Sequence, residues 1–96
     1  MSLPLDAAEA LIADLTRRME ALRSATYEGH DKERLANVTV TGDGDVIAVK
    51  LAQTIGRHPP EVVADAIREA VDAAQQRLAE AYKQLAHQAQ EWEQQS

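Results

Sequence analysis

The stretch that constrains this chain most is Ala36–Leu51, because its pattern can be tested against itself. Two β-rich runs, Ala36-Asn37-Val38-Thr39-Val40-Thr41 and Val46-Ile47-Ala48-Val49-Lys50-Leu51, flank Gly42-Asp43-Gly44-Asp45. Asp-Gly between alternating runs predicts a hairpin, since a type I′ turn needs φ > 0 at both central residues. With Asp43 and Gly44 as that pair, counting back sets Val40 opposite Ile47, Val38 opposite Val49 and Ala36 opposite Leu51. All three pairs are apolar and share one face, while Thr41 with Val46, Thr39 with Ala48 and Asn37 with Lys50 make a more polar one. The expectation is a hairpin with one buried face and one wetter face.

Helical spacing brackets the hairpin. From about Leu5 to Ala25 the apolar residues Leu5, Ala8, Ile12, Leu15, Met19 and Leu22 recur in steps of three and four, the seam spacing of helices packed side by side. Asp6 and Glu9 have the spacing of an N-terminal capping box, and Arg17, Arg18 and Arg23 fall late, where positive charge suits the dipole. Ala25-Thr26-Tyr27-Glu28 reads as a short first strand on the β preference of Thr and Tyr, with Gly29–Arg34 as a charged turn. Ala52–Arg57 is a connector. Pro59-Pro60-Glu61 then announces a helix, because a first-turn proline gives up only an N–H that has no intrahelical partner. Val63, Ile67, Ala70, Ala74, Leu78, Ala81, Leu85 and Ala89 carry its stripe, widened by Val71, Tyr82 and Trp92, from about residue 60 to 93. Such a helix is roughly 50 Å long. A small sheet shelters only its first turns.

The 96 residues suit a single domain, residues 1–96, of the α+β class: helix 1, a small antiparallel sheet with a central β-hairpin, and a long C-terminal helix. The chain has no Phe, and its aromatic residues are Tyr27, Tyr82 and Trp92. Much of its apolar content is alanine, which buries little area, so the core of one copy is thin and a homodimer is expected. Residues assigned to the core or dimer interface are Val38, Val40, Ile47, Val49, Leu51, Leu15, Met19, Leu22, Val63 and Ile67.

Cysteine is absent, which removes disulfides, thiolate metal sites and thiol nucleophiles. No apolar run approaches the length of a membrane span, so no membrane partner is expected, and a cytoplasmic location is the simplest reading. The three serines, Ser2, Ser24 and Ser96, have no neighbouring base and no nucleophile elbow. His87 and Glu91 share a helix face, but two ligands without a third read as solvent-facing residues. Asp43 and Asp45 lack the remaining ligands of a calcium loop and read as turn chemistry. Neither an enzyme, a cofactor nor a metal is expected.

The order helix, short strand, hairpin, long helix resembles the YbaB/EbfC family of bacterial nucleoid-associated DNA-binding proteins. The residues carrying the likeness are Val38-Thr39-Val40-Thr41-Gly42, the alternation Ile47, Val49, Leu51, and Pro60-Glu61-Val62-Val63-Ala64-Asp65-Ala66-Ile67-Arg68-Glu69-Ala70 leading into an Ala-rich helix. The resemblance covers roughly residues 5–85. It implies an intertwined homodimer whose long helices project as paired arms and hold duplex DNA with little sequence preference, in the nucleoid.

Charge bears on that implication. The net charge is −6, and residues 59–96 hold three basic and seven acidic groups. DNA affinity comes largely from phosphate neutralisation, so basic groups must be concentrated locally. From charge and placement, the candidate DNA-binding residues are Arg17, Arg18, Arg23, Lys32, Arg34, Arg77 and Lys83. The acidic run Glu61, Asp65, Glu69, Asp72 supports an alternative, a protein-interaction module on the same scaffold with little or no DNA affinity.

Overall fold

The computed structural model describes residues 5–95, with side chains over 6–91. The side chains of Leu5 and Trp92, which extend the helical stripes in the sequence, lie outside the described residues, as do Ser2 and Ser96. The chain is α+β. Its elements are α1 (Leu5–Ser24), β1 (Thr26–His30), β2 (Ala36–Thr41), β3 (Val46–Leu51), a 3₁₀ turn over Gln53–Arg57, and α2 (Pro60–Gln95). The strands form one antiparallel sheet in the order β1-β2-β3, leaving β1 and β3 as its edges.

Helix α1 is already under way at Leu5, so Asp6 is a first-turn residue that complements the dipole rather than the cap of a capping box. Arg23 serves the opposite end. Pro60 opens α2, where its missing N–H costs nothing, and the Pro59 carbonyl accepts the amides of Val62 and Val63 at 3.0 and 3.2 Å. With 36 residues α2 is about 54 Å long. It sets the shape of the molecule, whose principal extents are 63 × 20 × 14 Å.

The hairpin turn is not the expected type I′. Gly44 donates to the Thr41 carbonyl at 2.9 Å and has φ of 90°, while Asp43 is not among the residues with positive φ. The Thr41 amide in turn donates to the Asp45 carbonyl at 2.8 Å. Gly42-Asp43-Gly44 is therefore a three-residue loop, in which only Gly44 needs the left-handed region. Thr41 Oγ1 braces it by accepting the amides of Asp43 and Asp45. A three-residue loop displaces the pairing by one position, and β3 absorbs the difference with a bulge. Val40 pairs with Val46 and Thr39 with Ala48, so Ile47 is the extra residue rather than the partner of Val40. Beyond the bulge Val38 pairs with Val49 and Ala36 with Leu51.

Strand β1 extends into the expected turn, because Gly29 pairs with Val38 and His30 with Asn37. The remaining loop closes on Asp31. Its carbonyl accepts the Arg34 amide at 3.1 Å, its carboxylate accepts the Ala36 amide at 2.8 Å, and Arg34 takes φ of 58°. Asp31 is buried at 3% exposure, and the amide it receives offsets its desolvation.

The core lies between the sheet and the first half of α2. Ala36, Val38 and Val40 of β2 and Leu35 pack with Ala66, Ala70 and Ala74 of α2, and Tyr27, Ile55, Ile67 and Val71 close its margins. Small residues on the helix let it approach the sheet closely. A Cβ on Gly29 would lie 2.2 Å from the Ala74 nitrogen and 2.5 Å from the Ala70 carbonyl oxygen, so this strand position admits no side chain. Helix α2 lies over β1 and β2 and leaves the β3 side open.

That placement separates the residues assigned to the core or interface. Val38 and Val40 are fully buried, and Leu15, Leu22, Val63 and Ile67 are partly so. Ile47, Val49 and Leu51 are 57%, 46% and 46% exposed, and Met19 is 43% exposed. The hairpin has one well-buried strand and one strand that the chain does not cover. The sequence pattern gives both strands the same apolar face, but α2 is too narrow to roof all three strands.

Candidate functional site

Two surfaces stand uncovered among the described residues. The first is β3. Val46 and Ile47 are 48% and 57% exposed beside Val49 and Leu51, on a strand whose outer edge has no neighbouring strand among the described residues. An exposed apolar edge strand is a template for pairing with another chain, and natural sheets normally blunt such edges with charge or cover. Lys50 is the charged residue within this strand, and it pairs with Asn37 on the wetter face.

The second surface is the arm. Helix α1 runs antiparallel to the last third of α2, as Arg18 donates to Gln88 and Leu22 lies with Ala81 and Leu85 along a shared groove. Ile12 is 63% exposed on this arm. The arm is joined to the sheet at the β2–β3 turn. There the last turn of α1 presses on Gly42, and Tyr82 of α2 donates to the Gly42 carbonyl at 3.0 Å.

All seven candidate DNA-binding residues are exposed, but they occupy three different places. Arg17 and Arg18 stand on the arm, and Arg23 sits where α1 meets the turn. Arg77 and Lys83 follow on α2, beside Leu78 at the turn and along the arm respectively. Lys32 and Arg34 belong to the β1–β2 loop at the far end of the sheet, where the Lys32 amide donates to Glu69 at 3.1 Å. Glu69 and Gln88 are about 28 Å apart along α2. One chain therefore brings Arg17, Arg18 and Arg23 onto one helix and leaves Lys32 and Arg34 distant from them.

The acidic run is also localised. Glu61, Asp65, Glu69 and Asp72 lie on the first half of α2, above the sheet, where Asp65 pairs with Arg68 at 3.0 Å. The arm arginines have a closer carboxylate. Asp14 takes Arg17 at 3.4 Å and Arg18 at 3.1 Å, so one acid is shared between two guanidinium groups. That residue was not among the candidates, although its i+3 and i+4 spacing to the two arginines is legible in the sequence.

His87 and Glu91 approach at 3.3 Å on the exposed face of α2. Among the described residues no group of three or more His, Cys, Asp or Glu is placed to hold a metal ion. Among them, too, no helix is long and apolar enough to cross a membrane.

The fold has solved relatives. A crystal structure described as uncharacterized protein HP0035 from Helicobacter pylori superposes with a TM-score of 0.65 at 12% identity, over 84% of this chain and 95% of that one. At that identity the likeness speaks to the fold alone. No curated protein matches the sequence. The model of the YbaB/EbfC DNA-binding family matches residues 1–95. The chain belongs to the YbaB/EbfC DNA-binding family.

Proposed function

We propose that the protein is a homodimer that binds duplex DNA with little sequence preference, as a nucleoid-associated protein of the bacterial cytoplasm, and that it catalyses no reaction. Membership of a DNA-binding family supports DNA as the ligand. The observation that carries the reading of the assembly is β3, an unpaired edge strand with Val46, Ile47, Val49 and Leu51 each close to half exposed or more. A second copy laid against this edge satisfies its backbone groups and covers those side chains, and the arms then extend from a common centre.

Charge placement sets the condition that reading must meet. The dimer carries twice the net charge of −6, which repels DNA as a whole. The acidic stripe of α2 lies over the sheet, however, more than a Debye length of about 8 Å from Arg17 and Arg18. On α1 itself Arg17, Arg18 and Arg23 stand among Asp6, Glu9, Asp14 and Glu20, so contact with phosphate rests on the adjacent Arg17 and Arg18 rather than on a net positive arm. Contacts of this kind go to phosphates and carry no sequence information.

A second reading rests on the stripe itself. Glu61, Asp65, Glu69 and Asp72 form an exposed acidic face suited to a basic protein, with the arms gripping that partner instead of DNA. Retardation of duplexes of unrelated sequence, measured against salt on protein shown to be folded and dimeric, separates the two. The DNA reading predicts retardation of all duplexes at low salt, falling steeply as salt rises. No retardation at low salt removes it and leaves the protein-interaction reading.

A further inference from the structure

The geometry points to Tyr82, Gly42 and Tyr27 as positioning residues: together they form the joint that fixes the angle of α1 against α2 within the arm. The joint lies where α1, the sheet and α2 meet. Gly42 is buried there, and a Cβ added to it would fall 2.0 Å from the Leu22 carbonyl oxygen and 2.3 Å from the Arg23 Cα. The last turn of α1 therefore rests directly on the backbone of the β2–β3 turn. Tyr82 comes from the opposite side, donating from α2 to the Gly42 carbonyl at 3.0 Å. Tyr27 of β1 donates to the Leu22 carbonyl at 3.3 Å, on the same final turn of α1. The chain has three aromatic residues, and two of them donate their hydroxyls at this one place.

The joint matters because α1 has little other support. It touches α2 sparsely, against the extensive cover that α2 gives to β1 and β2, and Ala25 alone links it to β1. A helix of 20 residues is about 30 Å long, so a swing of about 10° at Ser24 moves its first turn by about 5 Å. Arg17 and Arg18, nearer the pivot, move by about 2 Å. A clamp of two hydroxyls and one side-chain-free contact thereby sets where these two arginines stand relative to α2. The link from the joint to DNA binding rests on the function proposed above; the link from the joint to the angle of α1 does not.

The test separates the two links. Since the chain has no cysteine, Glu9→Cys on α1 and Gln90→Cys on α2, both exposed and near the outer end of the arm, place one spin label on each helix where a swing of α1 changes their separation directly. Labelled chains are diluted into unlabelled protein so that pulsed electron resonance reads the distance within one chain, without DNA. Tyr82→Phe is expected to broaden that distribution and to weaken duplex binding by at most about fivefold, the factor one neutral hydrogen bond is worth. Gly42→Ala is expected to move the mean distance, because the new Cβ must displace Leu22 and Arg23. If Gly42→Ala does not fold, Tyr82→Phe still decides. A purely structural tyrosine would lower the melting temperature and leave the distribution unchanged, and that result overturns the proposal. Broadening in a protein that binds no duplex supports the joint and overturns the DNA reading instead.

Discussion

Single atoms decide much of this fold, and Gly29 is the clearest instance. Its missing side chain lets β1 lie against the α2 backbone at Ala70 and Ala74. Gly29→Ala should lower stability by about 1–3 kcal/mol through overpacking, seen as a lower urea midpoint, and an unchanged midpoint would mean the helix can lift without cost. Asp14 is the second instance, because it neutralises charge at Arg17 and Arg18 together. Asp14→Asn should tighten duplex binding by roughly two- to tenfold at low salt, with the gain shrinking as salt rises, and no change at low salt would place these arginines outside the contact. The role of Gly29 was not legible in the sequence, where it sits before His-Asp-Lys-Glu-Arg and reads as the start of a turn. What makes it a strand residue is the proximity of α2, some forty residues further on, and no local pattern encodes that.

At the scale of elements, the sequence carried the hairpin's register beyond the bulge, because Val38 opposite Val49 and Ala36 opposite Leu51 follow from period-two alternation. It did not carry the turn. Gly-Asp-Gly-Asp offers two glycines, and counting from Asp43-Gly44 ignores the three-residue solution in which Gly44 alone is left-handed. Nor did alternation say which strand α2 would roof. β3 has the apolar face of a buried strand and the exposure of an edge, and the proposed second copy accounts for both. Val49→Lys tests this element. A lysine at a half-exposed position leaves one chain folded but disrupts pairing between copies. The expected result is native helix content by circular dichroism with half the native solution mass. A variant that stays at the native mass would move the interface off β3.

The whole molecule is an elongated particle, 63 Å in its longest extent, with a thin core at one part and a helical arm beyond it. Alanine on α2 and a sheet of three short strands hold one chain together at close range but leave β3 and the arm uncovered. The negative balance of the sequence persists on α1, where Arg17, Arg18 and Arg23 stand among Asp6, Glu9, Asp14 and Glu20. The stripe Glu61–Asp72 and the arginines of α1 are separated along the long axis, and the separation depends on α2 being one continuous helix. The measurement closest to the central claim is the mass of the native protein in solution at micromolar concentration, by light scattering. A homodimer joined at β3 gives twice the chain mass of 10.5 kDa, whereas a particle of 10.5 kDa across that range would contradict it.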